Sequence, residues 1–169
     1  FVGSIMGSET TAAATGQVGV IRRDPMAMLP FCGYNMGDYW KHWIEIGESL
    51  DEDKAPKIFN VNWFRKDDEG NFLWPGFGDN LRVLDWIIDR CEGKVDAQET
   101  AIGYLPYAKD INLEGLDMTE ADLEKILDVD KDAWKEELKG VDELYAKFGD
   151  KLPKELSDVL NEVKSNLDK

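Results

Sequence analysis

A mixed α/β fold is what this sequence predicts, on three observations. Two short β-prone runs, VGVIRR at 18–23 and KIFNVNWF at 57–64, are closed off by turn residues. Two stretches, 38–50 and 79–92, carry apolar residues at helical spacing. From Thr119 onward the helical period continues through successive acidic stretches. Strand and helix signals in alternation suggest a layered fold with helices packed outside.

The elements follow in order. FVGSIMGSETTAAA has no initiator Met, basic n-region or apolar h-region; it reads as no signal peptide and as a chain that begins in mid-protein. SETTAAATGQVG (8–19) is built from small residues that lose little side-chain entropy on ordering, which suits either a plain linker or a segment that opens and closes. VGVIRR then reads as a strand stopped by Asp24-Pro25, and Pro30, Gly33 and Gly37 keep the next run from forming a long helix. DYWKHWIEIGESL predicts a helix over 38–50, with Asp38 as cap and Tyr39, Trp43 and Ile46 on its apolar face. KIFNVNWF predicts a buried strand ending at the charged turn RKDDEGN. DNLRVLDWIIDRCE predicts a helix over 79–92 with Leu81, Leu84, Ile88 and Cys91 on one face. In the tail, Thr119 and Asp122 have capping-box spacing, and Leu156, Leu160, Val163 and Leu167 form one stripe behind Pro153. These helices predict a peripheral cap.

Composition bounds the partners. The 169 residues suffice for one sizeable domain, 43% of them hydrophobic and 33% charged, with no apolar run long enough to span a bilayer. A formal charge of −15 leaves no basic stripe for nucleic acid or an anionic membrane, so neither is expected as a partner. Cys32 and Cys91 are far apart and fit no zinc or C-x-x-C spacing, which suits a reducing, cytoplasmic setting. His42 is the single histidine and is expected to be packed or at the surface.

Catalytic motifs are missing. The chain has no G-x-x-x-x-G-K-[ST], and Gly93-Lys94 continues into Val-Asp. Neither G-x-S-x-G nor H-E-x-x-H occurs. What stands out is NVNWFRKDDEGNFLWPGFGDN (60–80), where Trp63, Phe64, Phe72, Trp74 and Phe77 are interleaved with Asp67, Asp68, Gly70, Pro75, Gly76 and Gly78. A core strand tolerates few breakers and a surface loop few rings; a pocket wall uses both. A purine has two π-faces and a polar edge, so rings can stack on it while an Asn amide, with both donor and acceptor, reads the edge. PGFGDN supplies a ring between glycines and then Asn80 at a helix start. Packing of the rings into a core, with Asn80 as a simple cap, is the other reading.

FNVNWFRKDDEGNFLWPGFGDN and SETTAAATGQVGVIRRDPMAMLPFCGYNMGDYWKHW, followed by RVLDWIIDR and AIGYLP, closely resemble GTP-dependent phosphoenolpyruvate carboxykinase over essentially the whole chain. The likeness is to the C-terminal portion of a much longer polypeptide. It implies the C-terminal part of that enzyme's nucleotide-binding domain, with strands near the lid and guanine loop and an acidic helical cap. It divides the chain into a lid region and strand (1–37), a helix, strand and guanine loop (38–100), and a helical tail (101–169). The implied reaction is a decarboxylating phosphoryl transfer, oxaloacetate and GTP giving phosphoenolpyruvate, carbon dioxide and GDP, in gluconeogenesis.

The implied guanine pocket falls on Trp63, Phe64, Phe72 and Phe77, with Gly78, Asp79 and Asn80 along the nucleotide edge. The implied lid takes in Ser8, Glu9, Thr10, Thr11, Ala12 and Ala13, then Ala14, Thr15, Gly16, Gln17, Val18 and Gly19. By the resemblance the phosphate loop, the ligands of manganese and magnesium, and the oxaloacetate-binding arginines lie upstream of Phe1. No catalytic or metal role is therefore assigned to Cys32, Cys91, His42 or Arg22, and the segment alone is expected to be inactive. Asp79 stands where the family often has Glu, and Leu81 where a small polar residue is common. The competing readings are a free-standing guanine-nucleotide module and a structural fragment without catalysis.

Overall fold

Among the residues described by the computed structural model, 1–9 and 21–169, the chain forms five α-helices and two strand pairs. The helices are α1 (Met36–Ser49), α2 (Asn80–Cys91), α3 (Glu120–Leu127), α4 (Lys131–Ala146) and α5 (Lys154–Leu167). The strands are β1 (Gly7–Glu9), β2 (Ile21–Arg23), β3 (Gln98–Thr100) and β4 (Gly103–Leu105). Both pairs are antiparallel, with Gly7 opposite Arg23 in one and Thr100 opposite Gly103 in the other. The mixture of helix and strand predicted from sequence is present, with ladders only three residues long. Two units divide the chain: Phe1–Ala55 with Lys131–Lys169, and Pro56–Asp130.

In the first unit, α1 begins two residues before the predicted start. Its cap is Asn35, whose side chain accepts from the Gly37 N–H at 2.8 Å. Asp38 lies instead in the first turn and pairs with Lys151 at 3.2 Å. Gly37 is required by proximity, because a Cβ there would meet the Lys151 carbonyl oxygen at 2.3 Å. The buried line of α1 is Met36 and Trp40, with Trp43 and Ile44 half-buried, while Tyr39 is half-buried and Ile46 exposed. This displaces the predicted face by part of a turn, because the Trp40 ring is gripped edge-on by Phe148 (4.5 Å) and Tyr145 (5.8 Å) from the tail. The predicted α5 stripe is inward: Leu156, Leu160 and Leu167 are buried and Val163 half-buried.

Arginine and hydroxyl groups tie the first strand pair to α4. Arg23 donates to the Ile5 carbonyl at 2.7 Å, to the Glu137 carbonyl at 3.2 Å, and to the Glu137 carboxylate. Buried Ser4 hydrogen-bonds the Tyr145 hydroxyl at 2.7 Å and donates to the Phe1 carbonyl at 2.6 Å.

The second unit has its own core. Trp74, Trp86, Ile111 and Leu123 are buried together, with Trp63, Val83, Ile87 and Ile126 packed against them. The capping box of α3 is complete: the Thr119 side chain accepts from the Asp122 N–H, and the Asp122 carboxylate accepts from the Thr119 N–H.

One expectation for this unit is corrected. KIFNVNWF is not a strand: among the described residues no ladder includes it, and Ile58 is 82% exposed. An extended run with apolar residues toward both sides needs a hydrogen-bonded neighbour and cover on each face, and three-residue ribbons provide neither. The helix at 79–92 forms as α2 with Leu81, Leu84, Ile88 and Cys91 on one face as predicted; that face is the outer one, and Trp86, Val83 and Ile87 face in. The indole, the largest apolar surface on the helix, takes the core side.

Burial pushes the Tyr145 hydroxyl up from 10 to about 12, against a smaller downward pull from its bond to Ser4. A hydroxyl that holds its proton longer when folded stabilises fully below pH 10, and that contribution is lost as pH rises through about 12. Alkaline unfolding followed by circular dichroism should therefore be steeper over pH 10 to about 12 in the native sequence than in Tyr145→Phe. Coincident profiles would show that Tyr145 does not carry this dependence.

Candidate nucleotide-base site

The aromatic stretch is held as a shaped turn. Asp67 organises it: its carboxylate accepts from the backbone N–H of Asn71 at 2.7 Å and of Glu69 at 3.0 Å, and from the Asn71 amide at 3.1 Å. The Asn71 side chain, then its backbone N–H, hold the Asp67 carboxyl below the usual carboxylate value. One antiparallel bridge, Lys66 to Phe72, closes the turn, and Leu73 N–H donates to the Arg65 carbonyl at 2.9 Å. Phe64 and Phe72 thereby meet edge to face at 6.2 Å, with the Lys66 ammonium 4.9 Å from the Phe72 ring centre. Arg65 fastens the base of the turn by donating to the carbonyls of Ile126 (2.6 Å) and Asp128 (2.9 Å).

Beyond the turn the chain reverses at Gly76, whose φ of 109° lies where only glycine is at ease. A single 3-10 turn, Phe77–Asp79, then leads into α2. The Asp79 carboxylate accepts from Arg82 Nε at 2.9 Å, and the rest of that guanidinium donates to the carbonyls of Asn112 (2.7 Å) and Glu114 (3.0 Å). The Trp74 indole N–H donates to Asn80 Oδ1 at 2.9 Å.

These contacts sort the seven residues expected at a base pocket. Phe64, Phe72 and Phe77 stand at the surface, 72%, 58% and 95% exposed. Trp63 turns toward the core, its ring 6.4 Å from that of Trp74. Gly78 is exposed, Asp79 is engaged by Arg82, and Asn80 is engaged by Trp74. Of the expected lid, Ser8 and Glu9 belong to β1, and Thr10 through Gly19 lie outside the described residues. Lys66 is a contributor that the sequence reading leaves without a role, and Trp74, expected among the rings of the wall, serves from the core as the donor to Asn80. Their signal is positional: a lysine two residues after Phe64, and an indole six residues before a helix-opening Asn.

Elsewhere, His42 is exposed and stacks on Tyr39 at 6.3 Å. The Cys32 thiol is half-buried, donating to the Tyr34 carbonyl, and Cys91 is exposed. Among the described residues no three His, Cys, Asp or Glu side chains gather as a metal site, and no helix is long and apolar enough to cross a membrane.

Fold and loop together define a mixed helix-and-strand segment that displays aromatic rings from an anchored turn. A family model described as the phosphoenolpyruvate carboxykinase C-terminal P-loop domain matches residues 1–166. Curated relatives named phosphoenolpyruvate carboxykinase [GTP] share 54% identity with this chain. Those of Arthrobacter sp. and Paenarthrobacter aurescens align over 167 residues and that of Treponema pallidum over 169, in each case 99% of the chain. The chain spans only 27 to 28% of the length of these relatives. The chain thus belongs to the GTP-dependent phosphoenolpyruvate carboxykinase family, within its C-terminal domain.

The reversal at Gly76 has a direct test. A Cβ at Gly76 or at Gly78 would meet nothing within 4 Å, so only backbone strain distinguishes the two positions. Gly76→Ala should destabilise by about 1–3 kcal/mol and Gly78→Ala by well under about 1 kcal/mol, measured by urea unfolding. Equal costs would mean that the positive φ does not constrain this turn.

Proposed function

We propose that this chain supplies the guanine-binding part of a GTP-dependent phosphoenolpyruvate carboxykinase, as the C-terminal fragment of its nucleotide-binding domain. The enzyme would convert oxaloacetate and GTP to phosphoenolpyruvate, carbon dioxide and GDP. The observation that carries the reading is the display of Phe64, Phe72 and Phe77 in water on a turn pinned by Asp67, Arg65 and Trp74. Water-facing rings cost hydration free energy, and a rigid support for them is what a stacking platform needs. Asn80, at the start of α2, offers an amide to a base edge. The seven residues Trp63, Phe64, Phe72, Phe77, Gly78, Asp79 and Asn80 take unequal parts in this reading. The three exposed phenylalanines stack, Asn80 reads the edge, Gly78 allows close backbone approach, and Trp63 and Asp79 support the frame.

In such a phosphoryl transfer the protein chiefly positions groups and neutralises charge. This segment's share is to hold one end of the nucleotide. The manganese and magnesium ions implied by the family find no fitting donor set among the described residues.

A second surface supports the rest of the carboxykinase polypeptide as this segment's partner. Leu81, Leu84 and Ile88 recur three and four residues apart on the outer side of α2, all exposed. An apolar stripe of that kind on a helix whose other side already serves a core fits a helix covered on two sides.

Titration of the chain with GDP and with ADP, followed by tryptophan fluorescence, tests the base-binding reading. GDP should give a saturable change at lower concentration than ADP. Phe77→Ala should weaken GDP binding by about tenfold, from lost stacking, with an unchanged melting temperature because the ring packs on so little. Equal response to both nucleotides, or an indifferent Phe77→Ala, would overturn the assignment.

A further inference from the structure

We propose that Trp74 is a specificity-determining positioning residue: its buried indole N–H sets the orientation of the Asn80 amide, and so decides which bases that amide accepts. The inference rests on the base-binding reading above and adds the device that would make the site selective. Trp74 is 5% exposed and fixed in the core by Trp86, Ile111 and Leu123, so its N–H direction is set by packing. The bond to Asn80 Oδ1 is 2.9 Å.

An indole N–H is only a donor. The amide atom facing it must therefore be the oxygen, and a flipped amide would bring two donors together. Asn80 is thus held oxygen-inward, with the Nδ2 hydrogens directed away from Trp74. A free Asn side chain presents donor or acceptor with equal ease, and would serve guanine and adenine alike. One locked in this sense presents a donor.

The donor separates purines by the group on C6. Guanine and hypoxanthine carry an acceptor there, O6, which can take the amide N–H. Adenine carries an N6 amine, whose hydrogens would oppose those of Nδ2, so the hydrogen bond that guanine makes to this amide is lost and two donors face each other. The 2-amino group does not enter, so this device groups guanine with hypoxanthine and sets adenine apart. Stacking on Phe64, Phe72 or Phe77 is blind to these differences, because every base has a π-face.

Binding of GDP, IDP and ADP to the chain, measured calorimetrically for the native sequence, Trp74→Phe and Asn80→Asp, tests the proposal. The native chain should bind GDP and IDP alike and ADP at least about tenfold more weakly. Trp74→Phe keeps a ring but loses the donor, and the ratio of ADP to GDP dissociation constants should fall to within about threefold. Asn80→Asp leaves Trp74 and the core untouched, so it stays informative should Trp74→Phe fail to fold. One carboxylate oxygen still accepts from the indole, the other replaces the donor with an acceptor, and the preference should reverse toward ADP. Loss of core packing alone would weaken all three nucleotides together, leaving the ratios in place. A folded Trp74→Phe with its native ratio, or an Asn80→Asp that still prefers GDP, would overturn the role of Trp74 and leave base binding standing. A native chain with no base preference would overturn the base-binding reading and this inference with it.

Discussion

A buried indole N–H must find an acceptor or forfeit its hydration, a penalty of about 1–3 kcal/mol. In the Pro56–Asp130 unit that requirement joins two parts of the chain. Trp74 belongs to the hydrophobic cluster by its ring and to the first turn of α2 by its N–H. Trp86, in the same cluster, and Trp40, in the other unit, bury their N–H without an acceptor among the described residues. The difference matters because Trp74 lies at the end of an irregular loop and Trp86 in mid-helix. A helix already fixes its own side chains, whereas the loop needs a tether. The bond at 2.9 Å is that tether, and Gly76, Phe77 and Asp79 are looped out between its two ends.

The same logic explains the arginines. Residues 56–79 hold a single bridge and no α-helix, so few of their polar groups are satisfied by secondary structure. A guanidinium offers five donors in a planar fork and can satisfy two carbonyls at once, which a lysine ammonium on a mobile stem does less well. Arg65 uses this at the C-terminal end of α3, where the last carbonyls have no helical partner and a cation is favoured. Arg82 does it between the start of α2 and the 112–114 loop, and Arg23 between Ile5 and Glu137. Short ribbons and long loops are therefore stitched by side chains where a larger sheet would use its own ladder.

What could be read from the sequence follows from how local each determinant is. The helices at 38–50, 79–92, 119–128 and 153–168 were legible because period and caps act within a few residues. Thr119 with Asp122, and the Leu156–Leu167 stripe, are formed as their spacing predicts. The inward face of α2 was not legible, since Leu81, Leu84 and Ile88 make as good a stripe as Val83, Trp86 and Ile87. Only the tertiary partner chooses between them. Strand formation at 57–64 failed for a related reason: propensity proposes a strand, but a neighbour is needed to make one. In the aromatic stretch, composition separates rings from breakers and cannot say which rings go in. Trp63 and Trp74 turn to the core while Phe64, Phe72 and Phe77 remain out, a division set by Arg65 through contacts distant in sequence, by Asp67 through bonds two and four residues away, and by Gly76 through one backbone angle.

That division has a consequence for function. A base platform made of surface rings alone is adaptable and unselective, because its side chains are free to turn and every base stacks. Selectivity needs at least one polar group whose direction is not free. On the proposed reading this group is Asn80, and its direction is set from the inside, by an indole whose own position follows from packing against Trp86, Ile111 and Leu123. Core and recognition edge are then one structure. Any change that loosens the cluster around Trp74 acts first on the orientation of an amide, and only later on the loop that carries the rings. The rings could be remodelled with little effect on which base is chosen, whereas a buried position several residues away could alter that choice without touching the nucleotide.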